Sequence, residues 1–445
     1  MTIMNYRTLL TLILIALLSW LPTSCDLDIT NPNQATEVEV ETSPDGIRNV
    51  TVGIQGLYST SGLSAIILTP AVTTREMAIN TTFASLIELE NGGTALPAEN
   101  GRINRIWNNL FRVIEMSDLV IENASELITQ EGELSGILAI AQIHKAMSLG
   151  YLVQSFEQSP ITTGEDVTFQ TRDDVLNEAI DLLQNALQRV SDTPPSDDFR
   201  NNILIYSDFD FENTIHAYQA RYNLLLGNYE EAITQANAVD PQATSFFTYD
   251  GTSSENPVFQ GVLSADEGQE YAARDNFGTP VTETGDNRLD FYLNSSDEES
   301  TPNGLQIDQL SGFFTSASDP IPVYIPGEMN LIRAEAHIRL NEPNLAVDEI
   351  NSIRTKTAAD DPLGIGADLP AYSGPVTEDA LVTEVYRQRT AELYLTGMRF
   401  DDMRRLDRPV PSAEPSLNAE RNRVYYPYPR NERQNNPNTP PDPDI

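Results

Sequence analysis

The chain has 445 residues, with 27 Lys and Arg against 66 Asp and Glu, for a formal net charge of −39. So acidic a surface repels phosphate backbones and anionic lipid, which argues against nucleic acid and polyanions as partners and leaves neutral or cationic ligands open. The single cysteine, Cys25, excludes an intramolecular disulfide and any cysteine-based metal site.

In chain order, the first element is a targeting segment. Arg7 is followed by an apolar run from Leu9 to Leu18, interrupted only by Thr11, and then by Ser19-Trp20-Leu21-Pro22-Thr23-Ser24-Cys25. A bilayer needs about 20 apolar residues, so the run reads as a secretory signal over 1–24 and not as a span. Leu21 to Cys25 resembles a bacterial lipobox, although Pro22 and Thr23 depart from its commonest form. That resemblance implies lipidation at Cys25, and two or three acyl chains hold a protein durably on a membrane. Asp26 and Asp28, just behind the lipid, resemble the surface-export signal of Bacteroidetes lipoproteins. Segment 25–45, broken by Asn31-Pro32-Asn33, reads as an extended tether, leaving 46–445 as a single body.

Helical periodicity follows. Ile103, Ile106, Trp107, Leu110, Val113, Ile114 and Leu119 recur at threes and fours, and 136–153 carries Ile137, Ile140, Ala141 and Met147. Leu176, Ile180, Leu183, Leu187 and Val190 repeat the pattern over 173–190. Segment 217–236 aligns with 331–350 at an offset of 114 residues, so that Ala220 meets Ala334, Leu226 meets Leu340 and Ala232 meets Ala346. Small alanines let two helices approach closely and Gly227-Asn228 reverses the chain, which is the logic of a tetratricopeptide repeat. The expected fold is therefore mostly α: a tetratricopeptide-like helical-repeat scaffold, with repeats over about 101–240 and 327–405.

Two stretches break this pattern. Segments 59–100 and 241–326 are rich in small and polar residues with no sustained period, and read as irregular insertions, the second with short strands. The second also gathers rings beside amide and guanidinium groups. Sugars are held by aromatic rings against the pyranose face and by polar side chains on the hydroxyls. Tyr271, Phe277, Phe291 and Tyr292, with Arg274 and Asn276, are thus the candidate ligand residues.

The C-terminal third carries a signature. In 384–405, Arg389, Glu392, Leu393, Gly397, Arg399, Phe400, Asp402 and Arg405 stand at spacings that resemble the SusD/RagB family, while Gln388 and Thr396 replace its usual glutamates. Tyr425-Tyr426-Pro427-Tyr428-Pro429 followed by Asn436-Pro437-Asn438 resembles that family's closing segment, over 406–445. The resemblance implies an outer-membrane lipoprotein facing the cell exterior, capping a TonB-dependent SusC-like barrel transporter and delivering oligosaccharide or peptide to it. Read from spacing alone, Arg389 and Glu392 share a helical face and pair, Gly397 ends that helix as a left-handed cap, and the charges form a structural latch.

Nothing points to catalysis. His144, His216 and His337 are scattered over separate helices, so no metal site is expected. A glycosidase needs two carboxylates roughly 5 to 9 Å apart, and nothing singles out such a pair. No nucleophile elbow, phosphate-cradling loop or dinucleotide fingerprint occurs, and no cofactor is implied. The expected function is cell-surface glycan capture for a partner transporter. The alternatives are peptide capture and a protein-binding tetratricopeptide scaffold, which would need an open groove free of insertions.

Overall fold

In the computed structural model the described residues are 43–263, 270–278, 283–295, 300–301, 303–408 and 421–444. The signal segment, Cys25 and nearly all of the tether lie outside them. The chain begins with helix α1 (Pro44–Leu57), whose N-cap Ser43 accepts from the Gly46 N–H at 3.0 Å. A π-helical turn (Tyr58–Gly62) runs into α2 (Leu63–Thr73), then β1 (Met77–Ile79) and α3 (Ala84–Asn91). Segment 59–100 is therefore not an irregular insertion. Ala65, Ile66, Ile67, Leu68, Ala71 and Val72 are buried on every side of α2, so this helix has no polar face and shows no period in sequence.

Long helices follow: α4 (Gly101–Leu127), capped by Asn100, α5 (Glu131–Ser155) and, after the short strands β2 (Gln158–Ser159) and β3 (Gln170–Thr171), α6 (Arg172–Asp192). The stripe Ile103, Ile106, Trp107, Leu110, Val113 and Ile114 is buried as its spacing predicts. Helix α5 is apolar and long enough to cross a membrane, yet its most apolar 18-residue window is wholly covered by the surrounding protein.

The repeat region comprises α7 (Asp197–Asn202), α8 (Phe211–Leu226) and α9 (Tyr229–Ala238), and later a second helical pair, with the 241–326 excursion between. That excursion holds β4 (Phe246–Phe247), α10 (Pro257–Leu263), β5 (Tyr271–Arg274), α11 (Arg288–Tyr292), β6 (Leu293–Asn294), β7 (Ile307–Leu310) and β8 (Ile321–Pro322). Helices α12 (Gly327–Arg339) and α13 (Pro343–Arg354) lead to α14 (Glu378–Glu392), α15 (Arg399–Arg405) and α16 (Arg430–Asn435). Successive helices pack in a row: α4 on α5, α5 on α6, α6 on α8, α8 on α9, α9 on α12, α12 on α13. Ala220, Ala232, Ala334 and Ala346 are all fully buried at these contacts. Gly227 reverses the first pair at φ +80°, and Asn341, which tolerates the left-handed region, turns the second at φ +59°.

The excursion is not an independent domain. Three of its strands join an antiparallel sheet in the order β1-β5-β7-β6, so β1 from the first segment pairs with β5 from the second, Ile79 opposite Tyr271 and Met77 opposite Ala273, while β4 pairs separately with β8. Within the closing segment Tyr426, Pro427, Tyr428 and Pro429 are buried too. The Tyr426 N–H donates to the Ser155 carbonyl at 3.0 Å, and the Tyr428 hydroxyl accepts from the Gln158 N–H at 3.0 Å. These bonds pin the C-terminus to the end of α5.

Candidate functional site

A cleft of about 490 Å³ opens between the N-terminal turns of α4, the π-turn with α2, and residues 252–260 with Tyr271 of the excursion. Arg102, Arg105 and Asn109 share one face of α4, three and four residues apart. Opposite them stand the hydroxyls of Thr60, Ser61 and Ser64, and the third wall carries Thr252, Ser253, Glu255, Gln260 and Tyr271.

The π-turn explains how Thr60 and Ser61 come to face the opening. A π-turn re-aims its side chains and breaks the regular ladder, and such turns recur at functional sites. Two of its carbonyls bond outside the helix: Ser59 O accepts from the Tyr249 hydroxyl at 2.8 Å, and Ser61 O from Asn109 Nδ2 at 2.9 Å. The facing loop is held by Asp250, whose Oδ1 accepts from the N–H groups of Thr252, Ser253 and Ser254 at 2.8, 2.8 and 2.9 Å. The Ser253 hydroxyl and the Ser254 and Thr252 amides hold this carboxyl well below its usual range. Arg102 pairs with Glu270 at 2.9 Å and lies 5.7 Å from the centre of the Tyr271 ring. Burial pushes the Tyr271 hydroxyl up to about 12, with Arg102 opposing.

The sequence-predicted ligand residues do not converge. Tyr271 forms part of the cleft wall but is only 3% exposed, so its ring leaves no free face for a sugar to stack on. Phe277 and Tyr292 are fully buried and pack with Tyr394 at ring-centre distances of 4.6 and 5.4 Å. Phe291 is half-buried against Tyr292 and Phe313. Asn276 lines a separate, acidic depression with Asp275, Asp290 and Asp308, and Arg274 sits 3.6 Å from Asp275. Rings in a polar excursion are its largest apolar load, and here they serve to anchor it. Sequence reasoning missed Arg102, Arg105 and Asn109, because the polar face of an amphipathic helix ordinarily faces solvent.

The signature residues form a buried latch, with partners other than the expected ones. Arg389 pairs with Asp402 at 2.8 Å and not with Glu392. Glu392 takes Arg288 at 3.1 Å and Lys356 at 2.5 Å, while Arg288 also reaches Asp286 at 2.6 Å. Arg405 bonds Asp402 and Glu335, and Arg399 donates to the Phe277 carbonyl at 2.7 Å. Burial raises the Asp402 carboxyl to about 6 against the pull of Arg389. Gly397 is left-handed at φ +80°, but α14 already ends at Glu392; a Cβ at Gly397 would lie 2.6 Å from the Ile66 carbonyl, so the glycine admits α2.

The histidines do not converge. His144 is buried, with Nδ1 2.8 Å from the Ile140 carbonyl and Nε2 3.1 Å from the Tyr206 hydroxyl. His216 contacts Gln235 and His337 contacts Glu342. Among the described residues no group of three His, Cys, Asp or Glu side chains is placed to hold a metal.

Residues 230–441 match the model of the SusD family. No curated protein sequence matches the chain. Among solved structures, a SusD superfamily protein of Bacteroides vulgatus is 13% identical with a TM-score of 0.66, over 90% of this chain and 99% of that one. A SusD-like carbohydrate-binding protein of Bacteroides fragilis is 15% identical at 0.66, over 90% and 99%. A SusD superfamily protein of Parabacteroides distasonis is 17% identical at 0.65, over 91% and 98%. The structural likenesses establish the common fold, and the stretch that matches the SusD family, residues 230–441, contains the signature.

Proposed function

We propose that this chain binds oligosaccharide in the cleft between α4 and the excursion and passes it to a partner without catalysing any step. The observation that carries the reading is a cleft walled by hydroxyl, amide and guanidinium groups in a chain that matches the SusD family over residues 230–441. Such groups complement sugar hydroxyls, and two walls built on helices and a pinned loop are pre-organised for them. A carbohydrate-binding neighbour of the same fold adds support. In this reading Cys25 carries lipid, the chain sits on the outer face of the outer membrane, and a TonB-dependent SusC-like barrel receives the ligand. Calorimetric titration of the purified protein with a panel of oligosaccharides and short peptides tests the reading. Saturable binding of a glycan supports it, whereas binding of peptides alone would favour the peptide-capturing alternative.

A further inference from the structure

We infer that the captured oligosaccharide carries a carboxylate, as a uronic acid does, and that Arg105 receives it; this rests on the glycan-capture reading above. The cleft holds two guanidinium groups with different duties. Arg102 is buried, committed to Glu270 at 2.9 Å and laid beside Tyr271. Arg105, one helical turn further along the same face, is exposed and makes no ion pair or side-chain hydrogen bond among the described residues.

In a chain of net charge −39, an arginine in this cleft that is uncommitted among the described residues stands out against its surroundings. Among the described residues the carboxylates in and beside the cleft are engaged: Glu255 with Gln260, Glu270 with Arg102, and Asp250 with its own loop. At physiological ionic strength charges are screened over about 8 Å, so a ligand in the cleft feels Arg105 more than the distant acidic surface. A planar guanidinium also matches a carboxylate with two parallel hydrogen bonds. Asn109, one turn beyond, and the hydroxyls of Thr60 and Ser61 across the cleft suit the neighbouring sugar hydroxyls. The global charge still disfavours densely charged chains, which selects for sparse carboxylates and against sulfated polymers.

The test titrates the purified protein with otherwise neutral oligosaccharides that carry a single galacturonate, glucuronate or mannuronate residue, each against its own methyl ester, and with wholly neutral oligosaccharides of the same length. For at least one pair the acid should bind tenfold or more tightly than the ester, and the preference should shrink as salt is raised. Arg105→Ala should remove the preference, Arg105→Lys should restore part of it, and Arg112→Ala, outside the cleft, should change nothing. Circular dichroism should show all three variants folded, since Arg105 is exposed. Equal binding of acid and ester, an unchanged preference in Arg105→Ala, or binding of neutral glycans alone would overturn the inference while leaving glycan capture standing. Failure of every glycan to bind would overturn both.

Discussion

Single residues decide more here through burial than through reactivity. Arg288 is fully buried and joins Asp286, Gln388 and Glu392 across about a hundred residues of sequence. Removing one partner of a buried ionic network leaves the others charged and unpaired, at a cost of about 3–5 kcal/mol. Arg288→Ala should lower the denaturant stability by that amount, and a loss under about 1 kcal/mol would show the network to be slack. His144 bears on acid stability. Burial lowers its imidazole to about 4 from an ordinary 6.5, so its contribution is present above the unfolded value and is lost as pH falls through the folded one. The linked change from neutral pH to below about 4 is roughly 3 kcal/mol. His144→Gln, which cannot titrate, should lose that much less stability over the same range in parallel unfolding curves; identical slopes would contradict the assignment.

At the scale of elements, the amphipathic helices were legible because half-burial writes a period into the sequence: α4 and α6 follow their apolar stripes, and the matched alanines of α8, α9, α12 and α13 are all buried. Helix α2 was hidden by the same logic, since an element buried all round has no period to read. The latch residues were recognisable as a set, but their partners were not. Arg389 to Asp402 and Arg288 to Glu392 are tertiary contacts that helix spacing cannot anticipate. The cleft was half visible: Tyr271 was expected, while the α4 arginines lay on a face that normally meets only water. Gly397→Ala tests the revised role of that glycine. With φ at +80° and the Ile66 carbonyl 2.6 Å from the added Cβ, the variant should lose more than about 1 kcal/mol. Thermal unfolding unchanged from the parent would mean that α2 can move aside.

The whole molecule couples two stretches that look like separate insertions. Pairing of β1 with β5 and docking of the excursion beside α4 make one surface from segments nearly 200 residues apart. In the proposed role that surface faces ligand while the N-terminal lipid holds the body at the membrane. Cys25→Ala should move the protein from the membrane fraction to the soluble fraction on immunoblots, and unchanged retention would remove the lipid from the scheme. The most direct test of capture at the cleft is a calorimetric titration comparing the parent with Ser61→Trp, which places a bulky ring in the opening from an exposed position. The parent should bind an oligosaccharide and return it uncleaved by chromatography, and the variant, equally stable, should bind at least tenfold more weakly; equal affinity in the two proteins, or cleavage of the bound glycan, would contradict non-catalytic capture in this cleft.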